Sequence, residues 1–590
     1  MIDQHLLILT RPTLEAITLR IADSAPAPVG RYARRCLIAV LGALLRRSSS
    51  GWRVRRVPRS PLLEVDLLPP AHDSISPDQA WELSYLLAEQ PHVLAAEPSF
   101  GVVQSVDAPE PEIEPAQKIA AAAVASPTFE SCLDDAAPLS VDPDDKDWSP
   151  RLIDAPCAWR VIPPGPHDGF PAGKSRGAGI RIGHPDSGYR IHPEMFGEEP
   201  GQPSRVLTRL ERDFIDDDPT AEDPQGDHGL STASVLMSSE TQGQIVGVAP
   251  ASLIVPLRVT KPRLGIIPAP VLFADGANAL RDAIRYAIGS IARCRVISIS
   301  LGWLPNGSLH EAIRDAVRQN VIVCAAAGNY VGFVVWPAAY PEVIAVAGCN
   351  AVRRPWSGSS AGRKVGVSAP AEQVWRARFT SGGAPIAQPS DGTSYAVASL
   401  AGVAALWLAH HGRAFLLDRY HPAFTLTDVF RWVLGRSSDP FAVDVGDGYG
   451  VGIVNARRVL TTPLPSHADL HAALPAAQPE VFAAPTPPRA TEQIVTAFDA
   501  LPAEQVRTRL ASELEIPADE LDSRLEGVSD EMLFHLLTQP ELRNELTRPV
   551  APLPAAMDMG AAVAAAGAMR NTLLASNQLS TRLRDRLTTP

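Results

Sequence analysis

Apolar residues recur along this chain at the two periods that mark strands and helices, and those periods divide it into blocks. Near the N-terminus, "HLLILT" (5–10) reads as a strand and residues 31–47 as a helix. "GWRVRRV" (51–57) and "LLEVDLL" (62–68) read as strands around the turn "PRSP". "SPDQAWELSYLLAEQ" (76–90) reads as a helix with Ser76 at the N-cap and Pro77 at its first position, and "HVLAAEPSF" (92–100) as a further strand. The order β-α-β-β-α-β predicts a small ferredoxin-like α+β domain over 1–105. From about 150 to 462, apolar runs such as "GIRIGHP", "SLIVPLRV", "CRVISISL", "NVIVCAAAG" and "EVIAVAG" alternate with helical segments. Several are apolar on both faces, which predicts an α/β domain with a mostly parallel sheet flanked by helices. Beyond 490, Ile494, Val495, Phe498 and Leu501, then Val506, Leu510 and Leu514, then Met532, Leu533, Leu536 and Leu537 follow helical spacing. They predict a small helical domain over 491–548 and a tail over 549–590.

Composition separates these blocks. Residues 106–149 shift to Ala, Pro, Asp and Glu, an acidic linker, and 463–490 form a second linker rich in Pro and Ala. With 590 residues, the chain is too long for one core. The net charge of −12 disfavours nucleic acid as a partner. The six cysteines lack CxxC spacing, so neither a zinc site nor a disulfide framework is legible. The apolar part of "RRCLIAVLGALLRR" (34–47) is too short to span a bilayer, so no membrane span is expected. No signal peptide is recognisable at the N-terminus, which makes the cytoplasm the default expectation, with export by another route left open.

Four segments carry candidate chemistry. Asp186 ends an apolar strand in "IRIGHPDSGY", and His228 opens a helix in "GDHGLSTASVL". Asn329 follows the small-residue run in "VIVCAAAGNYVG", and Ser394 opens the small-residue helix of "DGTSYAVASLAG". Taken singly, each has an ordinary reading: a turn aspartate, a capping histidine, an asparagine after glycine, a serine at a helix start. Taken together they supply what amide hydrolysis by serine requires: a base, a carboxylate to orient it, and an oxyanion donor.

Their order, Asp-His-Asn-Ser, and their surroundings resemble the subtilisin-like serine proteases, the subtilases of peptidase class S8, over roughly 150–460. "PDSG", "HGLSTAS", "AAAGN" and "GTSYAVASLAGVAAL" resemble the family's Asp, His, oxyanion and Ser blocks. The resemblance implies proteolysis by a catalytic triad of Asp186, His228 and Ser394, with Asn329 in the oxyanion hole. It implies that Ser300, Leu301 and Gly302 form an edge strand for an extended peptide, and that Ala326, Ala327 and Gly328 line the subsite below. It further implies a cis bond at Trp336–Pro337. Residues 1–105 resemble a subtilase propeptide, an intramolecular inhibitory domain, and the basic stretch 31–60 offers a charge complement to the acidic loop 213–227. No cofactor is required for the chemistry; structural calcium is common in the family, but no ligand loop is identifiable.

The chain departs from the family pattern at Leu230, Ala371, Ala398 and Trp303, the last placed to reshape a side-chain pocket. Substrates are proteins or peptides, and the C-terminal helices have room for a protein partner. The same residues leave two alternatives open: a catalytically silent or partner-gated scaffold of this fold, and a peptide ligase using the same triad.

Overall fold

A computed structural model of the chain describes residues 9–44, 50–60, 62–70, 75–104, 141–164, 176–196, 204–216, 218–223, 227–238, 245–260, 276–473, 490–499, 501–548 and 567–588. These fall into two compact units, one of residues 1–107 with 485–590, the other of residues 108–484.

In the first unit, β1 (Leu9–Ile21), β2 (Arg53–Arg56), β3 (Leu63–Leu68) and β4 (Val93–Gln104) form an antiparallel sheet in the order β2-β3-β1-β4. Helices Val29–Leu44 and Pro77–Ala88 complete the ferredoxin-like order. Ser76 occupies the N-cap position, but its side chain makes no capping hydrogen bond. The first strand differs from the expectation. Residues 5–8 lie outside the described residues, and the strand runs on to Ile21. From residue 14 on, Leu14, Ala16, Ile17, Thr18, Leu19 and Ile21 are its buried positions. The sequence hides them because Pro12 and register shifts at Thr10/Thr13 and Leu14/Ala16 interrupt the period of two. At the other end of the chain, short helices lie between Ala490 and Thr547, with Val506, Leu510, Leu514, Met532 and Leu536 in their cores. The expected tail carries two more helices, Ala568–Ala575 and Thr581–Thr588, which bury Leu573, Leu583 and Leu587.

The second unit is built on a seven-stranded parallel sheet, β11-β10-β9-β8-β5-β7-β6. Its strands are β5 (Arg181–Asp186), β6 (Arg212–Asp213), β7 (Leu253–Arg258), β8 (Val296–Ile299), β9 (Ile322–Ala326), β10 (Ile344–Cys349) and β11 (Val365–Pro370). Every residue of β8, β9 and β10 is buried, as strands covered by helices on both faces require. β5 lies between β7 and β8, where the winding reverses direction, and such switch points open a crevice at the carboxyl ends of the strands. β12 (Val374–Phe379) and β13 (Pro385–Ser390) form a separate antiparallel pair.

The helix Thr393–His411 packs across β8, β9, β10 and β11 and is buried along its whole length. By length and composition it could cross a membrane, but its burial against the sheet marks it as a core helix. It is continuous through Ala398. Ala371 fits where it does because residue 348 is glycine: a Cβ there would meet the Ala371 Cβ at 2.5 Å. The core reaches beyond the expected linker boundaries, since Trp148 and Leu470 are both fully buried in it. Cys157 is disulfide-bonded, a pairing that no cysteine spacing announced.

Candidate active site

Three of the four candidate side chains meet at the carboxyl edge of the sheet. Asp186 closes β5 and is fully buried. His228 is the first residue of the helix His228–Met237, and Ser394 stands in the first turn of the long core helix. His228 Nδ1 lies 2.6 Å from Asp186 Oδ1, and His228 Nε2 lies 3.2 Å from Ser394 Oγ. The Ser394 hydroxyl has a second acceptor, Ser300 O at 3.3 Å, and Ser300 Oγ donates to Ser394 O at 3.2 Å. The histidine side chain is 27% exposed, so the ring is open to a substrate while its carboxylate partner is sealed.

Gly229 brings the His228 helix this close. A Cβ at residue 229 would stand 2.0 Å from Gly188 O, so the two backbones can pack only without a side chain there. Asp227, just before the helix, accepts from Arg190 at 3.0 Å and from the Phe379 N–H at 3.0 Å, which ties the helix start to β12.

Burial alone would push the Asp186 carboxyl up. The charge and hydrogen bond of His228, the nearby His184 and the Ser187 N–H at 2.7 Å outweigh that and hold it below the usual carboxylate range. An ionised Asp186 can only accept, which favours the imidazole tautomer with its proton on Nδ1 and turns Nε2 toward Ser394 Oγ. A second polar pair stands behind it. His184 Nε2 is 2.9 Å from Thr232 Oγ1, which is 3.4 Å from Asp186 Oδ2. Burial pushes His184 down, against the pull of Asp186, so this ring stays neutral.

Asn329 reaches the same crevice. Its Oδ1 accepts from the Thr393 N–H at 2.9 Å and from Thr393 Oγ1 at 2.7 Å. Both bonds fall on the oxygen, so the amide nitrogen is left to serve as donor on the other side. Thr393 Oγ1 also accepts from the Gly328 N–H at 3.3 Å.

A cleft of about 320 Å³, solvent-open space included, adjoins Ser394 and is lined by Ser300, Leu301, Gly302, Ala326, Gly328 and Asn329, together with Val331, Val335 and Thr393. Ala327 is not in this lining. It is fully buried, donates to Val346 O at 2.9 Å and accepts from the Val335 N–H at 3.0 Å. Residues 300–302 follow β8 without belonging to a strand. The ladder ends at Ile299 because Ser300 exchanges bonds with the Ser394 turn instead of a neighbouring strand. Trp303 does not enter the cleft; it is buried and pairs with Trp336 through backbone bonds of 2.6 and 3.3 Å. The Trp336–Pro337 bond is cis. Thr393 had a visible signal, its place beside Ser394, whereas Val331 and Val335 had none.

The acidic loop is spent largely within its own unit. Asp213 and Asp216 both bind Arg258, the latter at 2.8 Å, and Asp218 accepts from the Thr220 N–H at 2.8 Å. Among the described residues no three His, Cys, Asp or Glu side chains gather as metal ligands.

The family model described as the subtilase family matches residues 177–423. Thermitase of Thermoactinomyces vulgaris is 30% identical over 275 residues, covering 46% of this chain and 84% of that protein. The major intracellular serine protease of Bacillus subtilis is 28% identical over 210 residues, covering 34% and 60%. Subtilisin BL of Lederbergia lenta is 28% identical over 300 residues, covering 48% and 93%.

Proposed function

Because the chain belongs to the subtilase family and is a serine-type endopeptidase, we propose that Ser394 is its nucleophile, His228 its general base and Asp186 the carboxylate that orients the base. The observation that carries this reading is the chain of contacts from Asp186 Oδ1 through the His228 ring to Ser394 Oγ, at 2.6 and 3.2 Å.

Ser394 Oγ attacks the scissile carbonyl as His228 Nε2 takes its proton. Asp186 stays ionised and stabilises the imidazolium. The carbonyl oxygen becomes an oxyanion between Asn329 Nδ2 and the Ser394 N–H, with the positive end of the core helix behind it. The imidazolium then gives its proton to the leaving amine, and water repeats the sequence on the acyl-enzyme. No cofactor takes part. The substrate is protein or peptide, held extended along residues 300–302 with one side chain in the cleft bounded by Ala326, Gly328, Val331 and Val335.

The N-terminal domain is proposed to restrain this site. Its sheet order and its two helices support that role, being those of a ferredoxin-like unit. The reading is tested with purified chain on a chromogenic peptide series: wild type turns over, and Ser394→Ala loses roughly 10⁶-fold in kcat, the scale of this loss in subtilisin. Near-normal turnover by Ser394→Ala would sink it.

A further inference from the structure

The N-terminal α+β domain and the C-terminal helices belong to one compact unit although 377 residues of chain, 108–484, separate them. The contacts between them are specific. Phe534, in the helix Ser529–Thr538, meets Phe100 of β4 with ring centroids 4.6 Å apart and Trp81 at 6.0 Å. All three rings are buried. Beside them, Tyr85 donates to Glu531 Oε2 at 2.9 Å. Glu531 is itself fully buried and also accepts from the Ser580 N–H at 2.8 Å and Ser580 Oγ at 2.6 Å. Burial, then the Glu531 charge, push the Tyr85 hydroxyl far above its usual range, so it remains a donor. At the start of the helix Thr581–Thr588, the Thr581 N–H donates to Glu82 Oε2 at 3.0 Å, and Arg582 pairs with Glu89.

Each half thus completes the other. Without the N-terminal domain, a buried carboxylate loses a donor, a helix start loses an acceptor and Phe534 faces water. Aromatic anchors around a satisfied buried charge are the pattern of an association that holds without a covalent link.

We propose that the C-terminal helices are the receptor for the N-terminal domain, so that a chain cut between residues 108 and 140 keeps that domain bound. Scission of the linker then changes the attachment from covalent to non-covalent, while the C-terminal helices hold the domain at a high local concentration near the rest of the chain. This attachment does not depend on which residues perform catalysis.

The test uses the full chain with Ser394→Ala, an affinity tag at the C-terminus, and recognition sequences for a site-specific protease placed within 108–140 and within 474–489. After digestion under native conditions, the N-terminal fragment is expected to be captured with the tagged C-terminal fragment in equal amounts. Phe534→Arg should lower that capture at least tenfold. Tyr85→Phe keeps the ring and removes only the donor; it should speed release several-fold, with circular dichroism of both fragments unchanged. The proposal is overturned if the wild-type fragment washes away. It is equally overturned if Phe534→Arg and Tyr85→Phe retain it as well as wild type, for then the catalytic unit is the bridge.

Discussion

Thr393→Val tests whether Thr393 acts on catalysis through Asn329. In the wild type, the threonine hydroxyl donates to Asn329 Oδ1 at 2.7 Å, and the Thr393 N–H donates to the same oxygen at 2.9 Å. Valine keeps the shape and the N–H but removes the hydroxyl, and with it both the bond to Asn329 and the acceptor of the Gly328 N–H at 3.3 Å; the first of these two orients the amide. One neutral hydrogen bond is worth about 0.5–1.5 kcal/mol, which corresponds to roughly 2- to 13-fold in rate. The ceiling is the loss of the Asn329 donor itself, about 10²–10³ in kcat as in subtilisin. The oxyanion forms in the tetrahedral intermediate and its flanking transition states and is absent from the bound ground state, so the effect should fall on kcat and leave KM unchanged. The assay is steady-state kinetics on one chromogenic peptide for wild type, Thr393→Val, Thr393→Ser, Asn329→Ala and the double variant. Serine should restore the rate. Thr393→Val combined with Asn329→Ala should match Asn329→Ala alone, because there is no longer an amide to orient. Fully additive losses, or a Thr393→Val kcat equal to wild type, would refute the coupling.

Val335→Ala removes two methyl groups from the cleft wall and should raise kcat/KM for a leucine in that cleft, relative to alanine, by about 10-fold or more; an unchanged preference places the subsite elsewhere. Thr232→Val strips the buried His184 of its hydroxyl partner and should cost about 1–3 kcal/mol of stability, read as a lower Tm and restored by Thr232→Ser; an unchanged Tm denies the pair a role. Asp186 has a carboxyl lowered on folding, so its stabilisation is complete above the unfolded value near 3.9 and is lost as pH falls through the lower folded value. Chemical denaturation from pH 6 downward should therefore show a shallower acid decline for Asp186→Asn than for wild type, and parallel curves count against the assignment.

The candidate site was legible because each of its residues stands where a regular element ends or begins. An apolar strand that stops at Asp186, and helices that open at His228 and Ser394, place those groups at one edge of a parallel sheet whatever the connecting loops do. What lay hidden depends on contacts between segments. Val331 and Val335 enter the cleft because the chain folds back after Asn329, with the Val335 N–H on Ala327 O at 3.0 Å, and no periodicity encodes that return. Ser300, Leu301 and Gly302 were expected to form an edge strand, yet the ladder stops at Ile299, before all three, where Ser300 turns to Ser394. The strand expected at 5–10 is shorter than β1, which runs on to Ile21, because the bulges of β1 break the alternation that defines a strand. The pairing of Phe100 with Phe534 joins positions more than 400 apart, each of which reads in isolation as an ordinary core aromatic.

The central claim, that Ser394 is activated by His228 and Asp186, is tested most directly by labelling the native chain with a fluorophosphonate and mapping the adduct by peptide mass spectrometry. The account predicts one adduct, on Ser394, formed at least a thousandfold more slowly in His228→Ala. An adduct on another serine, or equal labelling of Ser394 in His228→Ala, would contradict it.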